Sequence, residues 1–68
     1  MGPQTDPPKY LPPLDPALAR RFARLDDNQK EWFSERAAMR EYLAEGVSRR
    51  QAEAGAWDDL VRYFQLGD

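Results

Sequence analysis

The sequence lacks both cysteine and histidine. The absence of cysteine excludes a disulfide framework and any thiolate metal site. The absence of histidine removes the commonest general base, a frequent zinc ligand and the side chain that titrates near neutral pH. We therefore expect no metal ion and no cofactor in this chain of 68 residues.

Long apolar runs are also missing. No stretch approaches the roughly 20 apolar residues that span a bilayer. The first residues, "MGPQTDPPKYLPP", lack the apolar core of a signal peptide. These two absences predict a cytoplasmic protein that does not contact a membrane.

The signatures of enzymes are absent as well. The chain contains no glycine-rich phosphate loop and no serine or cysteine nucleophile next to a base. Two pairs of adjacent carboxylates occur, Asp26-Asp27 and Asp58-Asp59, but neighbouring residues on a helix do not face one another. We expect neither catalysis nor a small-molecule substrate.

What is present predicts an all-α fold with a proline-rich start. Five prolines within residues 1–13 disfavour helix and favour extended backbone, so this segment is predicted to be a flexible tail that lays Tyr10 and Leu11 on the body of the protein. A ligand for a proline-recognising groove is the alternative interpretation. Residues 14–66 then form one domain, either a small three-helix bundle or an orthogonal three-helix domain.

Capping signals locate the three helices. Asp15 is a suitable N-cap for the first helix, and Asp26 or Asp27 for the second. Asp26 and Ser48 each precede a glutamine by three residues, the pattern of a capping box. Gly46 is predicted to end the second helix in a left-handed conformation. The expected helices cover about residues 16–25, 27–45 and 49–65.

The apolar periodicity predicts how these helices pack. The second helix has two apolar sectors, which predicts a middle helix with one neighbour on each side. The sectors are Trp32, Met39 and Leu43 on one side, and Phe33, Ala37 and Ala44 on the other. The predicted core consists of Trp32, Phe33, Trp57, Leu60 and Phe64. In the third helix, Gly55 predicts a bend or a close contact, and Asp58 and Arg62 have the spacing of an ion pair.

Eight of the ten basic residues are arginine, although the net charge of the chain is only −2. Arginine makes bidentate contacts with phosphate and carboxylate, while a codon bias in a GC-rich genome is the alternative explanation. Candidate residues for binding nucleic acid or a partner are Arg20, Arg21 and Arg24 on the first helix, with Arg36 and Arg40 on the second. Because Arg36 and Arg40 lie between apolar sectors, they are expected to pair with acids of other helices or to line a groove that a partner fills.

Acidic residues on the second helix form an alternative candidate site for a protein partner. These residues are Glu31, Glu35, Glu41 and Glu45.

Two segments resemble known families. The run "ERAAMREY" (residues 35–42), followed by Gly46-Val47, Arg49 and Ala52-Glu53, resembles a helical segment of phage and plasmid replication proteins of the primase or helicase kind. This resemblance implies an association with the replication of mobile-element DNA and brings no catalytic residues. "LAEGVSRRQAEAG" (residues 43–55) resembles the first half of a transposase-type helix-turn-helix, without the recognition helix that would follow.

Three functional hypotheses follow. The first is a non-catalytic helical accessory module of plasmid or phage DNA replication that binds a protein partner and also nucleic acid through its arginines. The second is a small phage- or plasmid-encoded inhibitor of a host protein, such as a defence-system antagonist, that acts through its acidic face. The third is a fragment of a larger protein in which the helices dock domains.

Overall fold

The computed structural model describes residues 10–66, which form three α-helices and, within that range, no strand. The helices are α1 (Pro16–Ala23), α2 (Asp27–Leu43) and α3 (Arg49–Phe64). The predicted all-α, three-helix fold is confirmed.

The predicted helix starts are confirmed in detail. Asp15 caps α1 with a carboxylate oxygen that accepts a backbone N–H three residues later, at 3.0 Å. Both capping boxes form, between Asp26 and Gln29 at the start of α2 and between Ser48 and Gln51 at the start of α3. Each side chain thereby satisfies a backbone N–H that the first turn of its helix leaves without a partner.

The end of α2 differs from the prediction. The helix stops at Leu43, two residues early, because Ala44 leaves the helical region with φ −107° and ψ 109°. Gly46 has the predicted left-handed conformation, with φ +81°, but it lies in the turn between α2 and α3 and not at the helix end. The local need for a glycine was predicted correctly, and its role as the helix cap was wrong.

The core lies where α1 and α3 meet the first half of α2. Its buried side chains are Phe22 of α1, Phe33 of α2, and Ala56 and Leu60 of α3. Of the predicted core residues, Phe33 and Leu60 are buried. The others, Trp32, Trp57 and Phe64, pack around them partly exposed.

A chain of aromatic contacts connects the N-terminal segment with all three helices. The ring centroids of Tyr10 and Phe22 are 5.6 Å apart, those of Phe22 and Phe33 are 5.4 Å apart, and those of Phe33 and Trp57 are 6.0 Å apart. The rings meet edge-on or tilted, which places the positive edge of one ring against the negative face of the next.

A buried carboxylate fixes the segment that precedes α1. The side chain of Glu53 in α3, of which 5% is exposed, accepts the Leu14 backbone N–H at 2.9 Å through one oxygen and the Arg49 Nε–H at 3.0 Å through the other. Arg49 also donates to the Pro12 carbonyl at 3.0 Å. These bonds attach the chain before α1 to the first turns of α3.

The described part of the predicted tail lies on the helices. Tyr10 packs against Phe22 and donates its hydroxyl to Asp27 at 3.1 Å, and Pro13 is buried, whereas Leu11 is 62% exposed. Residues 1–9 of that tail lie outside the described residues.

We expect Glu53→Ala to lower the free energy of unfolding by about 1–3 kcal/mol, because it leaves the Leu14 N–H and the Arg49 guanidinium without their acceptor. Urea unfolding measures this change. Glu45→Ala is the matched control, because Glu45 is exposed and such substitutions change stability by less than about 0.5 kcal/mol. Equal effects of the two substitutions would contradict a structural role for Glu53.

Desolvation, the hydrogen bond to Asp27 and the charges of Asp27 and Glu31 raise the pKa of Tyr10 above its ordinary value. Because the folded state favours the neutral phenol, the stability from Tyr10 is present at neutral pH and is lost as the pH rises through the folded pKa. Asp27→Asn should lower this pKa in a titration followed by ¹³C NMR of the Tyr10 ring. Asp58→Asn, a remote change of equal charge, should leave it in place, and a shift of equal size there would refute the local cause.

Candidate partner-binding surfaces

The three candidate arginines of α1 are exposed. Arg20 and Arg21 lie in the last turn of the helix and Arg24 is its C-terminal cap residue. Positive charge at this end complements the helix dipole, which gives these residues a local structural role. Within residues 10–66 none of the three forms an ion pair, so their guanidinium groups remain available to an anion.

Arg21 also borders a groove between α1 and α3. The groove has an apolar part, formed by Leu18 and Trp57, and a second guanidinium, that of Arg50. Asp15, Glu53 and Asp58 add carboxylates to the same groove.

Unlike the arginines of α1, Arg36 and Arg40 of α2 both contact a carboxylate of α3, that of Asp59. The Nη2 atom of Arg40 lies 2.8 Å from Asp59 Oδ2, and its Nε–H donates to the same oxygen at 2.9 Å. The Nε atom of Arg36 is 3.8 Å from that oxygen. The predicted pairing of these arginines with an acid of another helix is confirmed.

Gly55 of α3 leaves room for the guanidinium of Arg40. A Cβ atom at this position would lie 2.8 Å from the guanidinium carbon of Arg40, closer than real Cβ contacts come. The glycine therefore lets Arg40 cross α3 to reach Asp59. This is the close contact that the sequence predicted as one of two alternatives.

The predicted ion pair between Asp58 and Arg62 is wrong, since no carboxylate oxygen of Asp58 lies within 4 Å of a guanidinium nitrogen of Arg62.

The apolar sector of α2 that contains Trp32, Met39 and Leu43 is covered only at one end. Trp32 stacks on Tyr63 with 5.0 Å between ring centroids, but Met39 is 50% exposed and Leu43 70% exposed. The sequence predicted a neighbouring helix along this whole sector. That prediction is wrong for the C-terminal half of the sector, at Met39 and Leu43. The aromatic contacts of this sector come from the end of α3, where Tyr63 and Phe64 meet Trp32, whereas α1 reaches the other sector through Phe22 and Phe33.

A groove lined by Arg36 and Arg40 results. It runs between the second half of α2 and the first half of α3, and its apolar wall consists of Met39, Leu43 and the turn residue Val47. Arg21 lines the other groove, so the structure does not gather the predicted arginines around a single cleft.

The four candidate acidic residues are all exposed, three of them on α2 and Glu45 in the turn that follows it. Within the part of the chain that the structure describes, none of them takes part in an ion pair. They are Glu31, Glu35, Glu41 and Glu45.

The structural roles of Glu53 and Asp59 and the exposure of Tyr42 were not predicted from the sequence. Glu53 lies seven residues before Leu60, on the same face of α3, and this spacing was the available signal that its carboxylate points inward. The role of Asp59 had no such signal, because its partners belong to another helix. No sequence signal indicated that Tyr42 would be 86% exposed either.

Comparison with protein-family models, with curated proteins and with solved structures gives no match to this chain. The resemblance to replication proteins and to the transposase-type helix-turn-helix therefore stays a prediction. Among the described helices, none has the length and apolar composition needed to cross a membrane. No group of three or more acidic side chains in residues 10–66 is arranged to hold a metal ion.

We expect a double-mutant cycle with Arg40→Gln and Asp59→Asn to give a coupling energy of roughly 0.2–1 kcal/mol, the range of exposed ion pairs. In a Gly55→Ala background the added methyl group displaces Arg40, so the coupling should fall close to zero. The Gly55→Ala protein should itself stay folded, since alanine gains up to about 1 kcal/mol of helix propensity. Urea unfolding measures all these variants, and an unchanged coupling in the Gly55→Ala background would show that Arg40 does not need to cross residue 55.

Proposed function

We propose that this protein is a non-catalytic helical accessory module of plasmid or phage DNA replication. It binds a protein partner, and it contacts nucleic acid through Arg20, Arg21 and Arg24. The replication setting comes from the sequence, through the resemblance of residues 35–53, and a cytoplasmic location is part of the same proposal. The mode of binding is argued from the surface.

The observation that carries the proposal is the contrast between the two sets of arginines. Arg36 and Arg40 are held by Asp59, whereas the arginines of α1 are exposed and have no carboxylate partner within residues 10–66. A guanidinium that forms no ion pair can make bidentate, charge-assisted hydrogen bonds with phosphate.

The spacing of these arginines supports an anionic ligand. Arg20 and Arg24 are four residues apart, so they are neighbours on one face and repel each other. A phosphate between them removes this repulsion. Single-stranded nucleic acid fits better than a duplex, because Trp57 lines the groove beside Arg21 and Arg50 and offers a surface on which a base can stack.

Fluorescence anisotropy with labelled single- and double-stranded oligonucleotides tests this function. We expect micromolar binding at low salt that weakens as salt is added. The Arg20→Ala/Arg21→Ala/Arg24→Ala variant should lower the dependence of log K on log salt by about 2, from three lost contacts at roughly 0.7 each for a single strand.

The control variant is Arg62→Ala, which removes an exposed arginine from α3. It should leave the binding close to that of the unchanged protein. Absence of binding at low salt, or an equal loss in both variants, would refute nucleic-acid binding through α1.

A second candidate function is that of a small phage- or plasmid-encoded inhibitor of a host protein. The observation in its favour is the exposed acidic surface of α2 and the turn after it, where Glu31, Glu35, Glu41 and Glu45 have no ion-pair partner in the described residues. Such a surface would compete for the basic channel of a nucleic-acid-binding protein. The two functions separate cleanly, because replacing these glutamates by glutamine would impair inhibition and leave oligonucleotide binding intact.

A further inference from the structure

The groove between α2 and α3 has the composition of a protein-binding site. Its apolar wall contains Met39 and Leu43, which are 50% and 70% exposed, and Val47. Tyr42 lies beside this wall on α2 and is 86% exposed. Met, Tyr and Arg are enriched at the centres of protein interfaces, and exposed apolar clusters on small domains commonly mark such sites.

We propose that this groove, which we call the α2–α3 groove, docks an amphipathic helix from a partner protein, with a carboxylate of that helix placed at Arg36 and Arg40. The inference rests on the proposed function only in that both require a protein partner. It uses none of the α1 arginines.

The charges in the groove select an acidic helix. Arg36 and Arg40 share the single carboxylate of Asp59, which leaves one positive charge in excess at this end. Arg36 has the longer contact with Asp59, because its Nε lies 3.8 Å from that carboxylate, and its guanidinium rests 4.8 Å above the Trp32 ring. A carboxylate of the partner completes the hydrogen bonds of Arg36 without breaking the short bond of Arg40.

The size of the apolar surface argues for a single helix and against a second copy of this chain. Met39, Tyr42 and Leu43 together expose on the order of a few hundred Å², whereas each subunit of a stable dimer contributes about 800 Å². A helix that places apolar side chains at positions i, i+3 or i+4 and i+7 matches a groove formed by two helices.

A displayed library of helical peptides about 15 residues long, a length at which helices become stable in water, tests the proposal. The library is selected on the protein and counter-selected on Met39→Gln/Leu43→Gln, which keeps good helix formers in α2 while removing the apolar wall. We expect enriched peptides with apolar residues at helical spacing and Asp or Glu near one end of the stripe. Their affinity for the Met39→Gln/Leu43→Gln variant should be about tenfold or more weaker.

Leu11→Gln is the matched control, since Leu11 is a similarly exposed leucine outside the groove at 62% exposure. It should bind the selected peptides as the unchanged protein does. Circular dichroism melts of each variant establish that the fold is kept.

Three results would overturn the proposal. The first is no enrichment over the Met39→Gln/Leu43→Gln variant. The second is that replacing the acidic residue of a selected peptide by lysine leaves its affinity unchanged, which would remove the role of Arg36 and Arg40. The third is sedimentation of the protein alone as a dimer that the Met39→Gln/Leu43→Gln change dissociates, which would identify a second copy as the occupant.

The same variants separate this inference from nucleic-acid binding. The triple alanine variant of Arg20, Arg21 and Arg24 should bind the selected peptides normally, and the Met39→Gln/Leu43→Gln variant should bind oligonucleotides normally. Failure of one proposal therefore leaves the other measurable.

Discussion

The structure depends on a carboxylate in the interior of a very small domain. Glu53 would be costly to bury without partners, and each of its oxygens has one, the Leu14 backbone N–H and the Arg49 Nε–H. Because Arg49 also donates to the Pro12 carbonyl, the segment before α1 is attached to α3 at two points. This attachment sets the position from which α1 starts and allows Phe22 to reach Phe33.

The packing of the helices leaves two surfaces open. Phe22 of α1 contacts Phe33, and Tyr63 and Phe64 of α3 contact Trp32, so that Met39 and Leu43 in the second half of α2 stay largely exposed. The same arrangement divides the arginines into two groups. Asp59 neutralises much of the charge of Arg36 and Arg40, whereas the arginines of α1 face solvent. Arginine therefore contributes to two different surfaces. One is an apolar groove with a charged end, and the other is the basic face of α1.

These two surfaces favour a protein that works by binding. The basic face of α1 is suited to phosphate, and the α2–α3 groove is suited to a short helix, so nucleic acid and a protein partner would not compete for one site. Such an arrangement fits an accessory module that brings a second protein to DNA. The acidic residues of α2 offer a third surface, and its use would require a basic partner.

The sequence by itself determined the helix starts, because a capping box joins residues only three positions apart and needs no other part of the fold. It also determined the apolar stripes, since helical periodicity assigns each residue an angle around its axis. Tertiary structure decided what covers each stripe, which is why the exposure of Met39 and Leu43 differed from the prediction. It also decided the partners of Glu53 and Asp59, which lie on other segments, with Leu14 39 positions from Glu53. The spacing of residues in the sequence places a carboxylate on a helix face. The hydrogen-bond donors that offset the cost of burying this carboxylate come together only when the chain folds.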